Sequence, residues 1–305
     1  MIFNLIAIFR SPGPIIFNIG PISLRWYGLL IATSVLIGLS ISNELGKRRG
    51  LAKDVFNELL PILVVSSIIG ARAYYVTFEW SNYSGINFWE SIKILKLNLT
   101  IPSFFAIWRG GIAIHGALIM GFISVFIYSK IKQYNLWDIV DTILPSVALG
   151  QALGRWGNFF NNEAFGLPTE LPWKLYIPLH NRPVMFASQD FFHPTFLYES
   201  LWNFVTFIIL ITLFSKTLNR RINLPSGSIT CIYLISYGLG RLWIESLRID
   251  PLCLGGLPPF CEGGLRIAQL VSFTLISFGG FGIYWIYWLK KKLPLSTSTI
   301  ITKEK

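Results

Sequence analysis

Apolar runs of about twenty residues, separated by short polar breaks, dominate the chain, and that is the length a helix needs to cross a bilayer core. Runs at 24–45, 55–76, 110–131, 136–153, 196–214, 227–247 and 268–289 predict about seven transmembrane helices. The fourth is the shortest and carries Asp138, Asp141 and Pro145 near its start, which puts its first turn at the interface. Ser11-Pro12-Gly13-Pro14 breaks the first apolar stretch and no basic segment precedes it, so residues 1–23 read as an interfacial arm rather than a signal peptide. The stretch 161–194 carries Pro168, Pro172, Pro178 and Pro183 and is too long for a plain connector. It reads as a small external cap between helices four and five. Residues 24–290 then form one transmembrane domain, followed by a cytoplasmic tail at 291–305.

Composition agrees with this pattern. The chain is 53% hydrophobic and 13% charged, with a mean hydropathy of +0.56. A soluble domain carries about 25% charged residues. The expected fold is therefore an all-α integral membrane protein. Its 11 Trp fit the aromatic belts found at headgroup level. The net charge of +11 would suggest nucleic acid in a soluble protein. Here the basic residues fall in alternate loops. Lys47, Arg48, Arg49 and Lys53 follow the first run, Lys130 and Lys132 the third, Lys216, Arg220 and Arg221 the fifth, and Lys290, Lys291 and Lys292 the seventh. The positive-inside rule places these loops in the cytoplasm, with the amino terminus outside and the carboxyl terminus inside. The charge thus reports topology, and no nucleic-acid partner is expected.

On that topology the polar residues that do not belong in hydrocarbon gather at one depth, near the outer face. Arg25, Trp26 and Tyr27 open the first span, and Arg72 lies in the last turns of the second. His115 falls some six residues into the third, about 9 Å below its edge. Arg155, Asn158 and Glu163 follow the fourth span, His193 and Glu199 bracket the start of the fifth, and Tyr237, Arg241, Glu245 and Arg248 lie in the outer part of the sixth. Ionisable groups at membrane depth usually face a cavity and mark function.

The densest segment is Gly154-Arg155-Trp156-Gly157-Asn158-Phe159-Phe160-Asn161-Asn162-Glu163, where two glycines permit close backbone approach. A snorkelling Arg155 is the bland alternative. Tyr237, Arg241 and Glu245 recur every four residues, with Arg248 eleven after Tyr237, so they share a helix face on which Arg241 and Glu245 can pair. That pair is either a structural ion pair or the wall of a polar cavity, and arginine suits fork-shaped recognition of phosphate. His115 is either a helix-packing hydrogen-bonder or a general base. Only His115, His180 and His193 are present and none is paired at ligand spacing, so neither a metal nor a cofactor is expected. Cys231 lies within a span. Cys253 and Cys261 share the last outer loop, where a disulfide is left open.

Several of these motifs together resemble the prolipoprotein diacylglyceryl transferases. Residues 154–166, ending in Ala164-Phe165-Gly166, look like that family's signature. Arg25-Trp26-Tyr27-Gly28, Gly70-Ala71-Arg72, Trp108-Arg109-Gly110-Gly111 and His115-Gly116 also match. So do His193-Pro194-Thr195, Leu197-Tyr198-Glu199, Tyr237-Gly238 with Arg241, Glu245 and Arg248, and Arg266 with Ala268-Gln269. Ala117 departs from the family, which usually has a second glycine there. The resemblance covers nearly all of the chain apart from the first twenty and last dozen residues.

It implies an enzyme of the bacterial cytoplasmic (inner) membrane. Such an enzyme moves the diacylglyceryl group of phosphatidylglycerol to the lipobox cysteine of a secreted prolipoprotein and releases glycerol phosphate, with its site facing the outer leaflet. The expected catalytic residues are His115 as base for the thiol, Arg155 and Arg241 on the phosphate, and Glu245 orienting Arg241. Tyr27, Arg72, Asn158, Glu163, Gly166 and Tyr237 are the expected substrate-binding residues. Asn158 and Tyr27 would hydrogen-bond headgroup or ester carbonyls, and Glu163 would order the loop beside Arg155. The alternatives are a transporter or flippase of an anionic solute or lipid, and a lipid-binding factor without turnover.

Overall fold

A helix forms over each of the seven apolar runs: α1 (Trp26–Arg49), α2 (Val55–Phe78), α3 (Ile114–Ile131), α4 (Leu136–Asn161), α5 (Thr195–Leu218), α6 (Ser228–Leu247) and α7 (Ile267–Lys292). The computed structural model describes residues 8–20, 22–84, 89–94, 97–107 and 110–292. Five helices, α1, α2, α3, α5 and α7, are long and apolar enough to cross a membrane. The other two, α4 and α6, carry Arg155, Arg241 and Glu245.

Burial is inverted relative to a soluble fold. Large apolar side chains such as Leu36, Ile69, Leu118 and Phe273 point outward, whereas Asp141, Thr195, Glu199, Asn203 and Glu245 are buried. Outward apolar faces need an apolar solvent, and inward polar groups need one another.

The chain divides into two compact units, residues 1–45 with 140–305 and residues 46–139. In the first, α6 and α7 meet through a glycine: a Cβ on Gly238 would come within 2.8 Å of Ile276 and 2.9 Å of the Ser272 carbonyl. Asp141 of α4, 1% exposed, caps the amino end of α6. It accepts from Gly227 N at 2.8 Å, Thr230 N at 2.9 Å and Thr230 Oγ1 at 2.6 Å. These bonds satisfy N–H groups that a helix start leaves without internal partners. α5 is fastened to α4 by Trp156 Nε1, which donates to Ser200 Oγ at 3.1 Å, and by Ser200 Oγ, which donates to the Ala152 carbonyl at 2.9 Å.

The all-α expectation needs amendment. Short strands β1 (Phe9–Arg10), β2 (Ile15–Ile19) and β3 (Ile22–Arg25) precede α1, and β2 and β3 pair antiparallel. Within the cap, β6 (Leu175–Tyr176) pairs with β1 in parallel and with β7 (Phe191–Phe192) antiparallel. The cap therefore has its own core, with Phe165, Leu175, Ile177 and Phe192 packed against Phe159 and Phe196 of the helices beneath. In the α6–α7 connection, β8 (Cys253–Leu254) pairs with β9 (Leu265–Arg266), and Cys253 and Cys261 form a disulfide.

The second unit pairs α2 with α3 through Gly70 and Gly116. A Cβ on Gly70 would lie 2.5 Å from the Gly116 carbonyl, so both positions must stay small for the helices to cross this closely. The hairpin of β4 (Trp89–Ile94) and β5 (Leu97–Pro102) follows α2. Ion pairs Arg49–Asp138 at 2.5 Å and Lys132–Glu58 at 2.7 Å tie the ends of this unit's helices.

α3 begins at Ile114 rather than Gly110, because Gly110 and Gly111 take positive φ of 83° and 75°. His115 is therefore the second residue of its helix, not one deep within it. Trp108 and Arg109, part of the same motif, lie outside the described residues, as do most of the expected tail and the start of the arm.

Candidate active site

Helix α4 does not stop at Leu153. It continues through Gly154 and Gly157 to Asn161, so Arg155 and Asn158 sit in its last two turns instead of in a following loop. Glycine is a poor helix former, and Gly157 is explained by a neighbour: a Cβ there would collide with the Tyr27 ring. Trp26 stacks on Phe160 with centroids 4.6 Å apart, which fixes the start of α1 beside the end of α4. The helix ends where Asn162 and Ala164 adopt positive φ of 53° and 56°.

Glu199, in the second turn of α5 and 6% exposed, is the hub of the site. Its Oε2 lies 2.6 Å from Arg155 Nη2, and its Oε1 lies 3.1 Å from Arg241 Nη1 and 3.7 Å from Arg248 Nη1. One carboxylate thus spaces the forks of Arg155 and Arg241 side by side. Arg241 Nη2 also approaches Glu245 Oε2 at 2.5 Å, an ion pair without hydrogen-bond alignment. A buried carboxylate needs such partners, and Glu199, Glu245 and Asp250 together balance the three guanidiniums. Arg155 and Arg241 each hold five N–H donors, and their side chains remain 25% and 20% exposed. The unused donors suit an anion.

Polar side chains extend the hub along α4. Arg155 Nη1 donates to Asn158 Oδ1 at 3.4 Å, and Asn158 Nδ2 donates to Glu163 Oε1 at 2.9 Å. Asn161 Nδ2 donates to the same oxygen at 3.2 Å. Glu163 thus orders the turn that follows Arg155.

Arg248 departs from the helical spacing, since α6 ends at Leu247 and Arg248 is extended, with φ −74° and ψ 145°. It still faces Glu199 and grips Asp250 with Nε at 3.0 Å and Nη2 at 2.8 Å. Burial alone would lower its pKa, but the hydrogen bond and charge of Asp250, with Glu199 and Glu245 behind it, raise it instead. Arg266 Nη1 donates to the Glu245 carbonyl and Nη2 to the Pro259 carbonyl at 2.8 Å, fastening the disulfide-closed connection to the end of α6.

Gly166 is a point of close approach. Its N–H donates to the His193 carbonyl at 3.0 Å, and it bridges to Arg248. A Cβ there would meet His193 Cβ and the Leu247 carbonyl, both at 2.8 Å. His193 is lowered in pKa by burial and contacts Tyr198 Oη through Nδ1 at 3.2 Å; Tyr198 Oη also accepts from Trp173 Nε1 at 2.9 Å. Tyr237 stacks on Tyr233 at 6.0 Å and lines a small cavity beside Glu199 and Arg241.

The structure thus brings Tyr27, Arg155, Asn158, Glu163, Gly166, Tyr237, Arg241 and Glu245 into one unit. Arg72 and His115 belong to the other unit. There Arg72, 7% exposed, donates Nε to Phe104 O (2.7 Å), Nη1 to Gly110 O (2.6 Å) and Gly111 O (2.8 Å), and Nη2 to Ser103 O (3.1 Å) and Ala106 O (3.3 Å). All five of its N–H groups are occupied. His115 is exposed and stacks on Tyr74 at 5.9 Å.

Glu199 was named in the sequence for its depth and within a motif of the family resemblance, but without a role. A carboxylate in the second turn of an apolar helix was the available signal. Among the described residues, no cluster of three or more His, Cys, Asp or Glu could hold a metal.

Comparison with known proteins gives the same reading over the whole chain. The family model described as prolipoprotein diacylglyceryl transferase matches residues 14–285. A protein of Prochlorococcus marinus (strain SARG) named phosphatidylglycerol–prolipoprotein diacylglyceryl transferase is 62% identical over 291 residues, covering 95% of this chain and 96% of its own. A protein of the same name from strain NATL1A is 64% identical over 285 residues, covering 93% and 94%. Another from Synechococcus sp. (strain CC9902) is 56% identical over 289 residues, covering 94% and 97%.

Proposed function

The chain belongs to the prolipoprotein diacylglyceryl transferase family, and we propose that its reaction runs on the Arg155–Glu199–Arg241 cluster. The enzyme transfers the diacylglyceryl group of phosphatidylglycerol to the cysteine thiol of a prolipoprotein lipobox. A carbon–sulfur bond forms at the glycerol carbon that carries the phosphate. The carbon–oxygen bond to phosphate breaks, and its electron pair leaves on glycerol phosphate. The nucleophile is the precursor's own, so the enzyme needs no reactive cysteine, in keeping with a buried Cys231 and a disulfide between the other two.

The observation that carries this reading is the shared carboxylate. Glu199 holds the guanidiniums of Arg155 and Arg241 side by side, each with donors unused. In this role the two forks bind the lipid phosphate and stabilise the charge that grows on it as the bond breaks, with no reorganisation at that moment. Glu245 orients Arg241, and Asn158 with Glu163 orients Arg155. Tyr27 and Tyr237 contact the lipid substrate, and Gly166 keeps the cap against the end of α6. Arg72 has a different use: it holds the loop before α3 and leaves the phosphate to the other arginines. His115 is the base for the incoming thiol. A thiol of pKa about 8.5 is only a few per cent ionised near neutrality, so a base helps without being obligatory, and His115→Gln should retain more activity than Arg241→Ala.

In the same reading all seven helices span the bacterial inner membrane, with the amino terminus outside and the cluster near the outer leaflet. The five apolar helices and the basic loop residues support it.

The test is a transfer assay in detergent with phosphatidylglycerol labelled in its diacylglyceryl part and a lipobox peptide. Label in thioether linkage on the peptide cysteine is expected. A wild-type protein that binds the lipid and leaves it unaltered would overturn the reading.

A further inference from the structure

The charged cluster has a second layer beneath it. On each of three helices an uncharged hydrogen-bonding residue lies four positions from a charged one, on the side away from the charged end: Gln151 before Arg155 on α4, Asn203 after Glu199 on α5, and Tyr237 before Arg241 on α6. Residues four apart share a helix face, and four residues advance about 6 Å along the axis. The ends of the three helices that carry Arg155, Glu199 and Arg241 are joined by the ion pairs. The second layer therefore sits about one turn further into the helices than the first.

These residues face the interior they share. Asn203 and Tyr237 line one cavity of about 10 Å³ with Glu199, Trp202 and Arg241, roomy enough for a single polar atom. Asn203 is 6% exposed, yet no hydrogen bond to its side chain is formed among the described residues. Gln151 is hydrogen-bonded to Tyr233, the ring stacked under Tyr237, while its Oε1 is buried without a partner. Buried amides left unpaired are costly and rare in native structures. Asn203, lining the cavity with no partner for its amide among the described residues, points to a ligand that accepts from it.

The ligand's chemistry follows from the order of the layers. An anion-binding layer followed, one turn deeper, by neutral donors matches a phospholipid, whose phosphate is followed a few bonds later by two ester carbonyls. Resting on the transferase reading above, we propose that Asn203, with Tyr237, is a substrate-positioning pair that donates a hydrogen bond to an ester carbonyl of the diacylglyceryl group. It sets the depth of the lipid, and with it the position of the carbon to be attacked. It also makes the enzyme selective for diester over diether lipids. A carbonyl oxygen fits the cavity, whereas a diether lipid has no carbonyl oxygen to place there and leaves the amide unpaired.

The experiment compares phosphatidylglycerol with its di-O-alkyl analogue of equal chain length, both with a lipobox peptide. The phosphate and the carbon to be attacked are the same in the two lipids. Wild type should favour the diester by about tenfold in kcat/KM, the size of one or two lost hydrogen bonds. Asn203→Leu and Tyr237→Phe should lower diester transfer and bring the ratio toward one. A purely structural role would lower transfer from both lipids alike and leave the ratio unchanged, and that result overturns the proposal. A wild-type ratio of one overturns it without any variant. Absence of transfer from the diester by wild type would sink the transferase reading instead. Competition between the two lipids for binding then decides the subsite separately: equal affinities reject it, and a preference for the diester upholds it.

Discussion

Arg72 and Arg241 both turn inward near helix ends, and their surroundings give them opposite uses. Arg72 is enclosed by five backbone carbonyls, one for each N–H it owns. Its positive charge is solvated by neutral dipoles from the loop before α3. Arg241 meets carboxylates, one of them shared with Arg155 and Arg248. A carboxylate fixes a guanidinium's direction while leaving donors free. The first arrangement completes a structure, and in the proposed reading the second leaves a site for an anion to complete. An inward-facing arginine in a membrane-type fold therefore says little about function until its donors are counted.

The contrast can be broken most sharply at Arg241. Arg241→Ala should reduce kcat/KM for transfer by about 10²–10³-fold, and Arg241→Lys should recover little, because an ammonium lacks the fork. Recovery to within a few-fold by lysine in a steady-state assay would mean that only charge matters there. Next comes Glu199→Gln. It removes the negative charge between Arg155 and Arg241 and lets the two forks drift apart, for a loss of about 10²-fold, as expected when reacting groups are misplaced by an ångström. Unchanged rates would show that the spacing is set elsewhere.

Arg72→Ala should act on the protein more than on the chemistry. It removes a donor from five carbonyls and lowers stability by about 3 kcal/mol, seen as a lower midpoint in thermal unfolding in detergent, with activity per folded molecule within tenfold. The smallest effect concerns His193. Burial lowers its pKa below the ordinary 6.5, so the unfolded chain takes up the proton more readily than the folded one. Its contribution to stability is full above 6.5, declines as the pH falls through 6.5, and levels off below the folded value. His193→Gln should flatten that part of a thermal-midpoint profile, and an unaltered profile would assign the pH dependence to another group.

How far these differences could be read in advance varies by region. The helices were legible because apolar runs of bilayer length leave little choice of structure. The Arg241–Glu245 pair was legible because it is local to one helix. The continuation of α4 to Asn161 was not, since glycines and asparagines are poor helix formers and only the Tyr27 ring against Gly157 explains the segment. The strands between Phe9 and Arg25 were hidden for a similar reason, because their partners include residues in the cap more than 150 positions away. Glu199 stood out as a buried carboxylate, but its three arginines come from two other helices and a turn. Arg72 was read as a substrate-binding residue because carbonyl acceptors carry no side-chain signature. The trace they left is Gly110-Gly111, whose positive φ turns two of those carbonyls toward it.

The most direct test places the two arginines in one experiment: thioether formation per folded molecule for Arg241→Ala and Arg72→Ala, with thermal unfolding of each measured in the same detergent. A well-folded but inactive Arg241→Ala, beside a less stable Arg72→Ala whose folded fraction still transfers the lipid, is the predicted result. An active Arg241→Ala, or a stable Arg72→Ala without transfer, would contradict the assignment of the anion site to the cluster around Glu199.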